Sequence, residues 1–134
     1  MPDLWMGPNL FRFELIVIDR VVTPGEPGNY VLGLKDESGE FIPKVIGRSD
    51  TDLRRELMSK LVTAKYPYFK FSVANPKLAF ETECAQFHNF GRLLEDKTHP
   101  VRPVGPELRC FLCGLAEAPR PLERPSLKDR RGSI

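Results

Sequence analysis

Long apolar runs are missing from this chain. No stretch approaches the ~20 apolar residues of a membrane-spanning helix. The segment MPDLWMGPNLFRFELIVI has no basic stretch ahead of its apolar run, so it makes a poor export signal. Cysteine is scarce as well. Three is an odd number in a chain without export features, which argues against a disulfide scaffold and makes a reducing cytoplasm the expected compartment. An excess of one charge is also lacking, with 20 Lys+Arg against 18 Asp+Glu. Membrane protein, coiled coil, collagen-like fibre and disulfide miniprotein are thereby excluded. What is present is 134 residues, 41% of them hydrophobic and 28% charged, enough for one compact domain with a modest core.

The charge is unevenly placed. Five basic and two acidic residues fall between Pro119 and Ile134, so residues 1–118 carry 15 basic against 16 acidic side chains, a net of −1. Nucleic-acid affinity would have to come from a local patch or from the tail. One such patch is written between Lys44 and Lys70. Lys44, Arg48, Arg54, Arg55, Lys60, Lys65 and Lys70 outnumber Asp50, Asp52 and Glu56 and leave a local +4.

Residues 10–18, LFRFELIVI, are rich in β-formers and predict a strand, followed by the turn cluster TPGEPG. A second strand is expected at 28–36, a hairpin connection at 37–40 and a third strand at 41–48. Pro43 places the start of that third strand at an edge or bulge. Ser49, Asp50 or Thr51 can cap a helix whose stripe is Leu53, Leu57 and Leu61. A strand at 68–74 comes next. Asn75 as N-cap, Pro76 at the first helical position and Gly91 as the stop then delimit a second helix. Beyond Thr98 proline and glycine become frequent, and the basic segment 119–134 predicts disorder. The expected architecture is a small α/β domain, a mixed β-sheet flanked by helices with an irregular C-terminal segment.

Within this pattern, Gly28-Asn29-Tyr30-Val31-Leu32, then Val45-Ile46-Gly47-Arg48-Ser49, a helix carrying Asp52-Leu53-Arg54-Arg55 and a later helix carrying Glu83 resemble the GIY-YIG nuclease superfamily in order and spacing over residues 28–100. The resemblance implies a GIY-YIG-like domain at 28–100, preceded by an N-terminal strand and turn extension at 1–27. A C-x-x-C segment at 101–118 and the basic tail at 119–134 follow it. It also implies a one-metal phosphodiesterase. Glu83, with Ala79 four residues before it, would hold Mg2+ or Mn2+, Tyr30 would orient water, and Arg48, Arg54 or Arg55 would hold phosphate. The chain departs from the family pattern at three places. Val45 stands where the second motif has a tyrosine, and neither Thr98 nor His99 is the family's asparagine. Matching the Asp-Leu pair puts Glu56 at the place of the helix arginine, whereas counting from Gly47 puts Arg55 there.

The residues themselves add two points. At about 100° per residue, Glu83 lies in the middle of a stripe formed by Ala79, Phe80, Phe87 and Phe90. A carboxylate there must be protonated, metal-bound or paired with a nearby basic residue such as Arg54 or Arg48. Cys84 and His88 share one helix face at i and i+4, and Cys110 and Cys113 form a C-x-x-C. Together they make a Cys3His set suited to a closed, structural Zn2+. The alternative is a buried Cys84 beside an unligated C-x-x-C. His99-Pro100 reads as a turn.

Two functions follow from these features. One is a GIY-YIG-like nucleic-acid-associated protein, a divergent metal-dependent endonuclease acting on DNA or RNA through the Arg48–Lys70 patch and the tail. The other is a non-catalytic, zinc-stabilised module that binds nucleic acid or protein. Neither involves a membrane.

Overall fold

The computed structural model describes residues 6, 7 and 9–101. Cys110, Cys113, nearly all of the expected 101–118 segment and the tail at 119–134 lie outside the described residues. The elements are β1 (Phe11–Arg12), α1 (Leu15–Val21), β2 (Gly28–Lys35), β3 (Phe41–Ser49), α2 (Leu53–Thr63), β4 (Tyr68–Val73) and α3 (Pro76–Phe90), with a 3-10 turn at Gly91–Leu93. They form a small α/β fold around a four-stranded sheet in the order β1-β4-β2-β3.

The sheet is not mixed. All three pairings, β1 with β4, β4 with β2 and β2 with β3, are antiparallel. The β2–β3 hairpin closes through Asp36, whose Oδ1 accepts from the Ser38 and Glu40 amides at 2.9 Å, while Gly39 supplies the positive φ the turn needs. Pro43 falls on the edge strand β3, next to a bulge. Leu32 pairs with Val45 and Gly33 with Pro43, which leaves Lys44 as the extra residue.

The expected strand at 10–18 is the largest correction. Only Phe11 and Arg12 pair, and the chain then turns into α1. Val17, Ile18, Val21 and Val22 are the residues this helix turns inward, at i, i+1, i+4 and i+5, with Ile18 and Val22 fully buried. Packing against α2 therefore overrides the strand preference of β-branched residues. Phe11 and Phe13 do behave as strand-like core residues. Both pack on Phe69 with ring centroids 5.6 Å apart, and the Phe13 amide donates to the Pro67 carbonyl at 2.8 Å.

The cap of α2 is Asp52, one residue beyond the three expected, and its carboxylate accepts from the Arg55 amide at 3.2 Å. Ser49 Oγ instead accepts from the Thr51 and Asp52 amides and shapes the approach. Leu53 and Leu57 are fully buried, as their stripe predicts. Asn75 caps α3 as expected, accepting from the Leu78 amide at 2.8 Å, with Pro76 opening the helix. Gly91 ends α3 without a left-handed cap. Its φ is −50°, and the chain tightens into the 3-10 turn.

Strand alternation separates two layers. One side of β2 points Tyr30 and Leu32 into a core with Phe69, Leu53, Leu57, Ile18 and Val22, beneath α1 and α2. The other side lies under α3, where Asn29 Nδ2 donates to the Ala79 carbonyl at 2.7 Å.

Candidate functional site

Glu83 lies on the sheet-facing stripe of α3, and its partner is Arg48 from β3. Arg48 Nη1 donates to Glu83 Oε1 at 2.7 Å, and the two side chains are 9% and 12% exposed. Arg48 is fully engaged. Its Nε donates to Asp50 Oδ1 at 2.9 Å, its Nη2 to the carbonyl of Val101, and its guanidinium lies 5.2 Å from the centre of the Phe80 ring. Burial pushes the Glu83 carboxyl up, against the pull of Arg48, and the nearby charges of Asp50 and Glu56 push it further. Burial lowers the Arg48 guanidinium, but the bonds from Asp50 and Glu83 outweigh that and raise it.

Tyr30 is rooted on the opposite side of the sheet, paired with Gly47, while its neighbour Asn29 pairs with Arg48. Gly47 explains how the tyrosine tip leaves the core. A Cβ at position 47 would collide with the Tyr30 ring and hydroxyl, so the ring occupies the space above the glycine. The phenolic O–H then donates to Glu56 Oε2 at 2.9 Å. Tyr30 is 2% exposed, and burial first, then the charge and hydrogen bond of Glu56, push its phenol far above the usual tyrosine value. Glu83 contributes to that shift, as Glu56 does to the shift of Glu83, so the two side-chain pairs sense one another's charge.

The sequence-selected residues therefore divide. Tyr30, Arg48 and Glu83 take part in one polar cluster. Arg54 does not join it and forms an ion pair with Asp19 of α1. Arg55 is exposed on α2. Of the expected basic patch, Arg48 and Arg54 are consumed in ion pairs and Lys70 donates to the Gly7 carbonyl at 2.9 Å. Two members of the cluster, Glu56 and Asp50, had no role in the expected site. Glu56 carried a signal, since the Asp-Leu match placed it where the family has its helix arginine. Asp50 and Glu83 both accept from Arg48, so two carboxylates share one guanidinium, while Glu56 holds the Tyr30 hydroxyl.

A small pocket of about 50 Å³ opens beside Glu83, lined also by Val45, Phe87, Asp96 and Thr98. Among the described residues no three His, Cys, Asp or Glu side chains form a group able to hold a metal ion. Cys84 is fully buried. His88 lies on the exposed side of α3, and its nearest ring neighbours are Phe87 and His99. His99 lies in irregular chain after the 3-10 turn. It is 4% exposed, and burial lowers the pKa of both imidazoles. No described helix is long and apolar enough to cross a membrane.

Comparison of the chain with protein-family models, curated proteins and solved structures finds no match.

Proposed function

We propose that this chain is a non-catalytic GIY-YIG-like module that binds nucleic acid through surface cations lying away from the Glu83 cluster. The Arg48–Glu83 pair carries this reading. The carboxylate that the resemblance assigns to a metal is already neutralised at 2.7 Å by a buried guanidinium. The tyrosine assigned to water is held by Glu56 and keeps its proton across the physiological range. Val45 supplies no second phenol. The cations open to phosphate are exposed ones such as Arg55 and Lys65, together with those the sequence places in 119–134.

The pocket beside Glu83 favours a second reading. It is lined by Asp96 and Thr98 together with the carboxylate that the resemblance assigns to a divalent cation, so a metal-dependent nuclease is the alternative. One experiment separates the two. The full chain is incubated with labelled DNA and RNA in Mg2+ or Mn2+, at low and high salt. Salt-sensitive binding without cleavage, unchanged in Glu83→Gln, is expected. Divalent-dependent cleavage lost in Glu83→Gln establishes the nuclease instead, and absence of binding to either polymer overturns both.

A further inference from the structure

On the α3 side of the sheet, the helix packs on β3 and β2, and β4 lies beside it. Cross-strand partners point to the same side of a sheet. Arg12 stands opposite Tyr68, Tyr68 opposite Gly33, and Lys70, two residues along, opposite Val31. Alternation along β2 puts them on the side of Asn29, which bonds to α3. Lys35 and its partner Phe41 share that side.

Tyr68 is the centre of this group. The Lys35 ammonium lies 4.8 Å from its ring centroid and the Arg12 guanidinium 5.9 Å. The tyrosine is half-buried, while Arg12 and Lys35 are exposed. The Phe41 ring lies 2.9 Å from where a Cβ on Gly33 would stand. With no side chain of its own, Gly33 lets that second aromatic ring settle onto the strand next to Tyr68. Arg12 also pairs with Glu14 at 3.2 Å, and Lys70 donates to the Gly7 carbonyl. Among the described residues Lys35 enters no ion pair. Three cations against Glu14 leave this half of the face positive. Asp36, Glu37 and Glu40 stand at the hairpin tip beyond Lys35, the end from which a polyanion is turned away.

We propose that this half of the sheet binds single-stranded nucleic acid, with one base stacked on Tyr68 and its flanking phosphates on Lys35 and Arg12. An aromatic ring on a sheet surface, ringed by cations, offers an unpaired base a stacking partner and its backbone a counter-charge. The base takes the place of the ammonium over the ring, and the flexible Lys35 side chain swings out to the phosphate. A duplex keeps its base faces stacked inside and cannot use the ring. The proposal rests on the nucleic-acid-binding reading above and deepens it, by naming the form of the polymer and the surface that takes it.

Fluorescence anisotropy of the full chain is the test. The probes are a labelled single strand of about twelve nucleotides, as DNA and as RNA, and the matching duplex. The single strand is expected to bind more tightly than the duplex. Tyr68→Leu keeps an apolar side chain on the strand and is expected to lose about 5- to 150-fold in affinity for the single strand. Tyr68→Trp is expected to bind at least as well as the wild type, which keeps the test open if Tyr68→Leu fails to fold. Lys35→Ala is expected to reduce the dependence of log affinity on log salt by about 0.7. Single-strand binding that Tyr68→Leu leaves unchanged, or a preference for duplex, overturns this proposal and leaves the broader reading standing. Loss of binding in Tyr68→Trp also overturns it. So does polyglutamate that displaces the strand as well as unlabelled oligonucleotide does, since the face would then answer to acidic chains of any kind. Absence of binding to all three polymers overturns the broader reading and this one with it.

Discussion

The Arg48–Glu83 pair shows how a buried ion pair constrains a small domain. Each charge is held away from water and compensated by the other, so removing one leaves the other stranded. Arg48→Ala should cost about 3–5 kcal/mol in urea unfolding, a large part of the stability of a domain this size. The double variant Arg48→Met/Glu83→Leu should recover most of that loss, because it removes both desolvation costs together. Tyr30 gives a pH signature. Its folded-state pKa lies above its unfolded value of about 10, so the folded chain retains a proton that the unfolded chain releases. Its contribution is complete below pH ~10 and falls as pH rises further, at a rate approaching 1.4 kcal/mol per pH unit. Tyr30→Phe should cost about 1–2 kcal/mol at neutral pH through the bond to Glu56. It should also show a shallower alkaline loss of stability than the wild type when unfolding is followed from pH 8 to 11.

At the scale of elements, legibility tracks how local the physics is. The start of α3 is specified by adjacent residues, Asn75 accepting from Leu78 and Pro76 opening the helix, and its bounds are readable from sequence alone. Asn75→Ala should cost about 1 kcal/mol, read as a lower urea midpoint with an unchanged slope. The hairpin at Asp36–Glu40 and the edge position of Pro43 are legible for the same reason. Residues 15–21 are not. Strand and helix both fit a short apolar run, and the choice falls to contacts with α2, a partner more than thirty residues away. The cluster divides in the same way. Helical spacing places Glu83 among apolar residues and calls for a basic partner such as Arg54 or Arg48. Only the register that sets Arg48 beside Asn29 decides between them. The meeting of His88 with His99 has no periodic signal, because His99 comes from irregular chain.

For the whole molecule, sheet polarity follows from connections that the sequence shows but does not orient. The β2–β3 hairpin fixes one antiparallel pair. The crossover through α2 then brings β4 back on the far side of β2, also antiparallel. Residues 1–118 carry a net −1, so attraction to polyanions falls to exposed cations such as Arg55 and Lys65 and to the five basic residues of 119–134. Deleting 119–134 should therefore flatten the dependence of log affinity on log salt for DNA or RNA, with a decrease in slope of about 0.9 for each phosphate contact removed on duplex DNA. Glu83→Gln should leave that slope unchanged.

The proline and bulge in β3 have a bearing on how one copy meets another. A continuous outer strand is a template onto which a second chain can add its own. At Pro43 the backbone has no N–H to offer, Lys44 stands out of register, and the Lys44 carbonyl is already taken by the Glu95 amide at 2.8 Å. Over this stretch an approaching strand would find donors and acceptors interrupted where it needs them in sequence. Edge-to-edge growth is thereby discouraged at the side of the sheet nearest the Arg48–Glu83 pair, by the same irregularity that shapes the strand carrying Arg48.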